Sequence, residues 1–182
     1  MRPVADYASI LKVLNDAGVN VTDIMSTLTA HSDEAIYYRI DHHWTSLGAY
    51  YAYCAWRDTE PAADEWTKEA LCNNFRGTTW NKVPLPSVPA EEITAWYKHA
   101  NRRVSYNNGE YETDREEGKL LLIKDSYGNT FAQFPVEDYA EVHVIDLRFF
   151  RDDIVEYAKA NGITDALILY GVQNFVKNTK LS

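Results

Sequence analysis

The strongest constraint on the fold lies in the last third of the chain. Three short apolar runs, residues 120–123, 142–145 and 166–169, alternate there with helical segments. Runs this apolar, lacking the polar-apolar alternation of a half-exposed strand, belong to strands buried on both faces. Strand, helix, strand, helix, strand in that order implies right-handed crossovers and a parallel sheet. The expected fold class is therefore α/β, a three-layer sandwich around a central, mainly parallel sheet. In such a sheet the C-terminal strand ends share one edge, and ligands bind there.

The remainder of the chain is read against that core. Tyr7, Ile10, Leu11 and Leu14 recur at helical spacing with Gly18 as a stop signal, predicting a helix and then a short strand over residues 19–21. Residues 35–40 read as a buried strand that ends in Asp41-His42-His43-Trp44. Thr45 or Ser46 then caps a helix carrying Leu47, Tyr50, Tyr51 and Cys54, and Gly48 in its first turn permits a close neighbour. Residues 60–114 are less patterned. Within them 63–71 predict a helix, 75–89 a loop containing Gly77 and Pro84, Pro86 and Pro89, and Asn107-Asn108-Gly109 a hairpin. This stretch reads as an irregular insertion over one edge of a single domain spanning residues 1–182. Near the end, residues 152–160 predict a helix closed by Asn161-Gly162.

Composition excludes several classes. Eighteen Lys and Arg against 27 Asp and Glu give a net charge of −9, which argues against nucleic acid as a partner. The tightest basic cluster is the pair Arg102–Arg103. No segment approaches the roughly 18 apolar residues of a membrane span. The first residues carry acidic groups and a helical period rather than a signal-peptide pattern. Cys54 and Cys72 have no zinc spacing, and read either as small buried hydrophobes or as a disulfide.

Polar clusters follow the three apolar runs: Ser126 after the first, Arg148 after the second, Gln173 and Asn174 after the third. Asp41 and His43 join them if residues 35–40 run parallel to the others. Together they supply a hydroxyl nucleophile, a base, a carboxylate and oxyanion donors. At i, i+2 in extended chain, Asp41 and His43 project to one side and His42 to the other. The carboxylate then holds Nδ1–H of His43 and leaves Nε2 to take a proton from a serine, with Trp44 walling the imidazole from water. Each residue also has a plainer reading. The histidines or Ser126 and Asp125 can cap helices, Arg148 can pair with Asp146 or Asp152 instead of substrate, and amides such as Gln173 and Asn174 are common in loops.

Four blocks carry a family resemblance: YYRIDHHWTSLGAYYAY from residue 37, LLLIKDSYGNTF, VHVIDLRFF and DALILYGVQNF. They resemble the DHHW family, which is similar to the alginate O-acetylation proteins and their SGNH-hydrolase-like, flavodoxin-like domain with circularly permuted motifs. Glu34, Phe75, Gly77 and Thr78 fall where similar residues are expected. The resemblance implies a catalytic Ser126, His43 and Asp41, with Trp44 completing the Asp-x-His-Trp segment. Arg148 would match an active-site arginine, and Gln173 or Asn174 an oxyanion amide. It implies a serine-dependent acyl-ester hydrolase or O-acetyltransferase acting on a cell-envelope or exported carbohydrate, without cofactor or metal. Any membrane anchor would belong to a segment ahead of residue 1. The alternative is an inactive glycan-binding or envelope scaffold. A metal site at Asp41-His42-His43 is disfavoured, since the two imidazoles are expected to point apart and Asp23 and Asp33 do not supply the further aspartates of a DHH phosphoesterase.

Overall fold

The computed structural model describes residues 7–99, 105–107, 110–113 and 115–177. Its main sheet, among these residues, has the order β3-β4-β6-β5-β7: β3 is Ser105–Asn107, β4 Glu110–Glu112, β5 Lys119–Lys124, β6 Glu141–Ile145 and β7 Asp165–Leu169. β5 lies between β6 and β7 and is parallel to both, with Leu122 level with Val144 on one side and Leu167 on the other. β4 and β3 extend the β6 edge in antiparallel fashion. The parallel core is thus the one its apolar runs predict.

Alternation along β5 sends its side chains into two different clusters. Leu120 and Leu122 face a layer containing Phe131, Phe134 and Tyr139, while Leu121 and Ile123 face Leu147, Ile154 and Tyr157. The helix α6 (Ile154–Ala160), capped by Asp153, covers that second face. The first face is covered by α3 (Ser46–Arg57) and α5 (Gly128–Phe131), which completes three layers. α3 is buried along most of its length, from Ser46 to Cys54. Thr45 caps it, and a Cβ on Gly48 would stand 2.2 Å from the carbonyl oxygen of Ile36, so only glycine admits this approach. No described helix is long and apolar enough to cross a membrane.

Other helices are α1 (Tyr7–Asp16), α2 (Ile24–Ala30), α4 (Thr78–Lys82) and α7 (Val172–Lys177). Residues 19–21 form no strand; they lead to Asp23, which caps α2 by accepting from the Met25 N–H at 3.0 Å. The helix expected over 63–71 is also absent. A 3-10 turn at Ala63–Glu65 gives way to β1 (Thr67–Phe75), which pairs antiparallel with β2 (Glu91–Tyr97) as a separate two-stranded ribbon. Local helix formers lose here to burial: Trp66 and Trp96, each 5% exposed, anchor the ribbon against α3. Ser46 Oγ donates to the Thr94 carbonyl at 2.6 Å, and the Trp96 N–H to Gln133 Oε1 at 2.7 Å. The stretch expected to be irregular is therefore a ribbon plus α4, strapped to the core. The expected hairpin forms, with Asn107 opposite Glu110, its tip at residues 108–109 lying outside the described residues, as does the Arg102–Arg103 pair. Cys54 is buried and Cys72 half-buried, both as free thiols rather than a disulfide.

Residues 35–40 correct the strand expectation in a way that matters for the site. The alternation is real, since Ile36, Tyr38 and Ile40 are buried and the residues between them exposed. Yet the segment joins no sheet. A single antiparallel bridge, Tyr37 to Trp44, closes it into a loop, with Tyr38 N–H donating to the His43 carbonyl. Further along, its backbone donors go to a side chain: Glu91 accepts from the N–H groups of Arg39 and Ile40 at 3.0 to 3.2 Å.

Candidate active site

The turn after β5 is tight for a steric reason. A Cβ on Gly128 would meet Lys124 Cβ at 2.4 Å, so β5 and α5 approach closely only with glycine there. Asp125, 1% exposed, fixes the turn. Its Oδ1 accepts from the Tyr127 N–H at 2.9 Å, and its Oδ2 from the Gly171 N–H at 2.9 Å and Asn174 Nδ2 at 2.7 Å. A buried carboxylate is stable only when filled with donors in this way. Ser126 is thereby held at the C-terminal edge of the parallel sheet, two residues before α5. Its backbone N–H has no acceptor among the described residues.

The loop of residues 37–44 faces this turn. Asp41 Oδ1 accepts from both the backbone N–H of His43 (2.9 Å) and its Nδ1 (2.5 Å). Oδ2 accepts from the Thr78 N–H at 2.6 Å and from Thr78 Oγ1 at 3.0 Å. Burial pushes the Asp41 carboxyl up, but the bonds from Thr78 and His43 outweigh it and hold the group at about 2. An ionised carboxylate needs a donor, so His43 carries its proton on Nδ1 and presents a bare Nε2. That atom lies 2.7 Å from Ser126 Oγ. Gly77 makes the approach possible, since a Cβ there would stand 2.2 Å from Asp41 Oδ2. The Ser126 hydroxyl, 83 residues from His43 in sequence, thus meets the imidazole and carboxylate in one chain of hydrogen bonds.

The model of the SGNH hydrolase-like domain of the acetyltransferase AlgX matches residues 1–121, two thirds of the chain. The chain belongs to this family. Among solved structures, a DHHW family protein from Eubacterium siraeum is 23% identical at a TM-score of 0.78, covering 93% of this chain and 71% of that one. Bacillus cereus PatB1 with a sulfonyl adduct is 17% identical at 0.69, covering 92% and 73%. The O-acetyltransferase domain of Pseudomonas putida AlgJ is 17% identical at 0.61, covering 96% and 67%. At these identities the likeness shows a shared fold. No curated protein matches.

Within this SGNH hydrolase-like domain several expected roles shift. Asp41 and His43 do not follow a parallel strand, and the segment is bent rather than extended. His42 accordingly does not point away: its ring lies against that of His43, centroids 3.9 Å apart and planes tilted by 39°. Nor does Trp44 wall the imidazole. Trp44 is 2% exposed and donates from Nε1 to the Tyr127 carbonyl at 3.0 Å, bracing the serine's turn. The ring beside His43 is that of Tyr127, at 5.1 Å between centroids, and its hydroxyl donates to the His42 carbonyl at 2.9 Å.

Arg148 is a half-exposed side chain bound in bidentate fashion to Asp146, Nε to Oδ1 at 2.9 Å and a terminal nitrogen to Oδ2 at 2.5 Å, so its plainer reading holds in this structure. Asn174 gives its amide to Asp125 and does not face an oxyanion position, while Gln173 is exposed on α7. Thr78 and Tyr127 are site residues that sequence reasoning left without a role, and Asp125 one that it read only as a candidate helix cap. Gly77-Thr78 at a helix start was the available signal for the first of them. Asp41, His42 and His43 each offer a ligand atom within 4.8 Å of the others, which removes the argument that the imidazoles diverge. Both Asp41 oxygens are nevertheless filled by four donors, two of them backbone, so the carboxylate is committed to the loop.

Proposed function

We propose that the chain is a serine-dependent acyltransferase that moves an acetyl group from an ester donor to a carbohydrate hydroxyl, and hydrolyses the donor when water takes the acceptor's place. Ser126 is the nucleophile, His43 the general base and then acid, and Asp41 the residue that orients the imidazole. His43 Nε2 accepts the Ser126 proton as Oγ attacks the acyl carbon. The oxyanion that forms is met by the unpaired Ser126 N–H. The bond to the leaving alcohol breaks, His43 returns the proton to that oxygen, and an acyl-serine remains. An acceptor hydroxyl then gives its proton to His43 and attacks the acyl carbon; the bond to Ser126 Oγ breaks as His43 returns that proton to it. The family's description as an acetyltransferase supports acetyl as the group moved. A glycan of the cell envelope, or one exported through it, is the proposed acceptor.

The 2.7 Å contact of His43 Nε2 with Ser126 Oγ carries this reading. An inactive glycan-binding scaffold has no need of it. The test is labelling with an active-serine phosphonate, read by mass spectrometry, together with turnover of 4-nitrophenyl acetate. The label is expected on Ser126 and is lost in Ser126→Ala, with turnover falling by about a thousandfold or more. Undiminished labelling or turnover in that variant would overturn the proposal.

A further inference from the structure

One residue of the loop is not used by this mechanism, although it is a histidine in contact with the base. His42 has its side chain 53% exposed, lies tilted against the His43 ring and places Nδ1 2.8 Å from Thr78 Oγ1. The same hydroxyl oxygen lies 3.0 Å from Asp41 Oδ2. A threonine hydroxyl has one hydrogen to share between these two neighbours. The Asp41 carboxyl, held at about 2, is ionised wherever the protein works and can only accept. Were the hydrogen turned to His42, two oxygen lone pairs would face each other across that 3.0 Å gap. The hydrogen therefore goes to Asp41, and Thr78 Oγ1 accepts from His42 Nδ1–H.

We propose that His42 is a positioning residue of the site, acting through Thr78 on the carboxylate that orients His43. The proposal rests on the catalytic reading of Ser126 and His43 given above. A donor behind a hydroxyl polarises it and strengthens its own donation. His42 thus fixes the rotation of the Thr78 hydroxyl and tightens its grip on Oδ2, leaving Oδ1 for His43. Without the Nδ1 donor the hydroxyl is free to turn to solvent, and Asp41 loses one of its four anchors. The backbone at His42 is itself held, since its carbonyl accepts from Tyr127 Oη at 2.9 Å. The chain of bonds runs His42, Thr78, Asp41, His43, Ser126, with each proton's place dictated by the ionised carboxylate in its middle.

The test separates the donor from the ring. His42→Phe keeps a ring against His43 without a donor; His42→Asn keeps a donor near Nδ1 without the ring. With 4-nitrophenyl acetate, His42→Phe and Thr78→Val are each expected to lower kcat by roughly threefold to tenfold with KM unchanged, the worth of one hydrogen bond. His42→Asn stays within about twofold of the parent. Because the effect passes through Thr78, the double variant His42→Phe with Thr78→Val is no slower than Thr78→Val alone. Parental kcat in His42→Phe, a loss in His42→Asn as large as in His42→Phe, or multiplied losses in the double variant would each overturn the proposal. Ser126→Ala run alongside keeps the two readings apart. Undiminished turnover there removes the acyl-transfer reading, whereas a flat His42 series beside an inactive Ser126→Ala removes only this inference.

Discussion

Ser126 sits at the end of β5, a strand paired on both sides, whereas Asp41 and His43 sit on a loop closed by the bridge from Tyr37 to Trp44. The serine's position is inherited from the core: Leu120, Leu121, Leu122 and Ile123 are buried in succession just before it. The position of His43, the proposed base, is assembled from polar links to a stretch well downstream. Thr78 holds the Asp41 carboxylate, Glu91 holds the N–H groups of Arg39 and Ile40, and the Trp80 N–H donates to the Ile40 carbonyl at 3.1 Å. Residues 77–91 are therefore the scaffold of the base rather than a covering on the domain. One half of the site rests on a buried strand and the filled carboxylate of Asp125 at its end, the other on hydrogen bonds to a stretch downstream, and the two respond to different kinds of damage.

The largest effect is expected where the hydrogen-bonded half has no room. Gly77→Ala places a Cβ 2.2 Å from Asp41 Oδ2 and 2.3 Å from Asp41 Cβ, and neither atom can yield without moving the carboxylate. The backbone itself is not strained, since φ at Gly77 is −82°. Displacing an orienting group by an ångström costs on the order of 100-fold in rate. Turnover of 4-nitrophenyl acetate should fall by about that factor while the urea midpoint hardly changes. An alanine variant with the parental rate would show that the loop does not depend on this contact.

The packed half is expected to fail in the other observable. Asp125→Asn leaves an amide where Oδ1 and Oδ2 together accept three N–H donors, so at least one donor at Tyr127, Gly171 or Asn174 is left facing another. Breaking such a buried charged acceptor costs about 2–3 kcal/mol. The urea midpoint should fall accordingly. A fall in turnover with an unchanged midpoint would mean that Asp125 serves chemistry rather than the architecture of the serine's turn.

The same contrast governs what could be read in the residue pattern. β5, β6 and β7 were legible as short apolar runs spaced by helical segments, although only β5 is buried on both faces: β6 carries Glu141 and His143, and β7, at the sheet edge, leaves Ile168 half exposed. The hairpin was legible because Asn-Gly favours a turn whatever surrounds it. Thr45 was readable as a cap, and Ser126 as a residue at the active edge. The loop of residues 35–40 shows its buried face in period two, but periodicity does not name a partner, and here the partner is a glutamate 51 positions away from Ile40 rather than a neighbouring strand. β1 was obscured because Thr67–Phe75 contains helix formers whose pairing is decided by Trp66 and Trp96 against α3. The proximity of Asp41, His43 and Ser126 was expected at a shared strand edge, through a strand over residues 35–40 that does not form, and from the family resemblance; the contacts of Thr78 and Asp125 that enforce it are tertiary.

Tyr127 joins the halves and offers the smallest and most discriminating change. Its ring stands beside His43 and edge-on to Trp44, and its hydroxyl spans from the serine's turn to the His42 carbonyl. Burial pushes that phenol above its ordinary range, so it stays a neutral donor at any working pH. Tyr127→Phe retains the ring and removes one bond between the halves, an expected cost of about 0.5–1.5 kcal/mol in stability. If Thr78 and Glu91 set the base loop from their side, kcat falls by no more than roughly two- to fivefold, because the loop keeps its other anchors. A loss approaching that of Gly77→Ala would reverse the comparison. The base would then be positioned from the serine's turn, through one hydroxyl, and the downstream scaffold would only hold the loop in place.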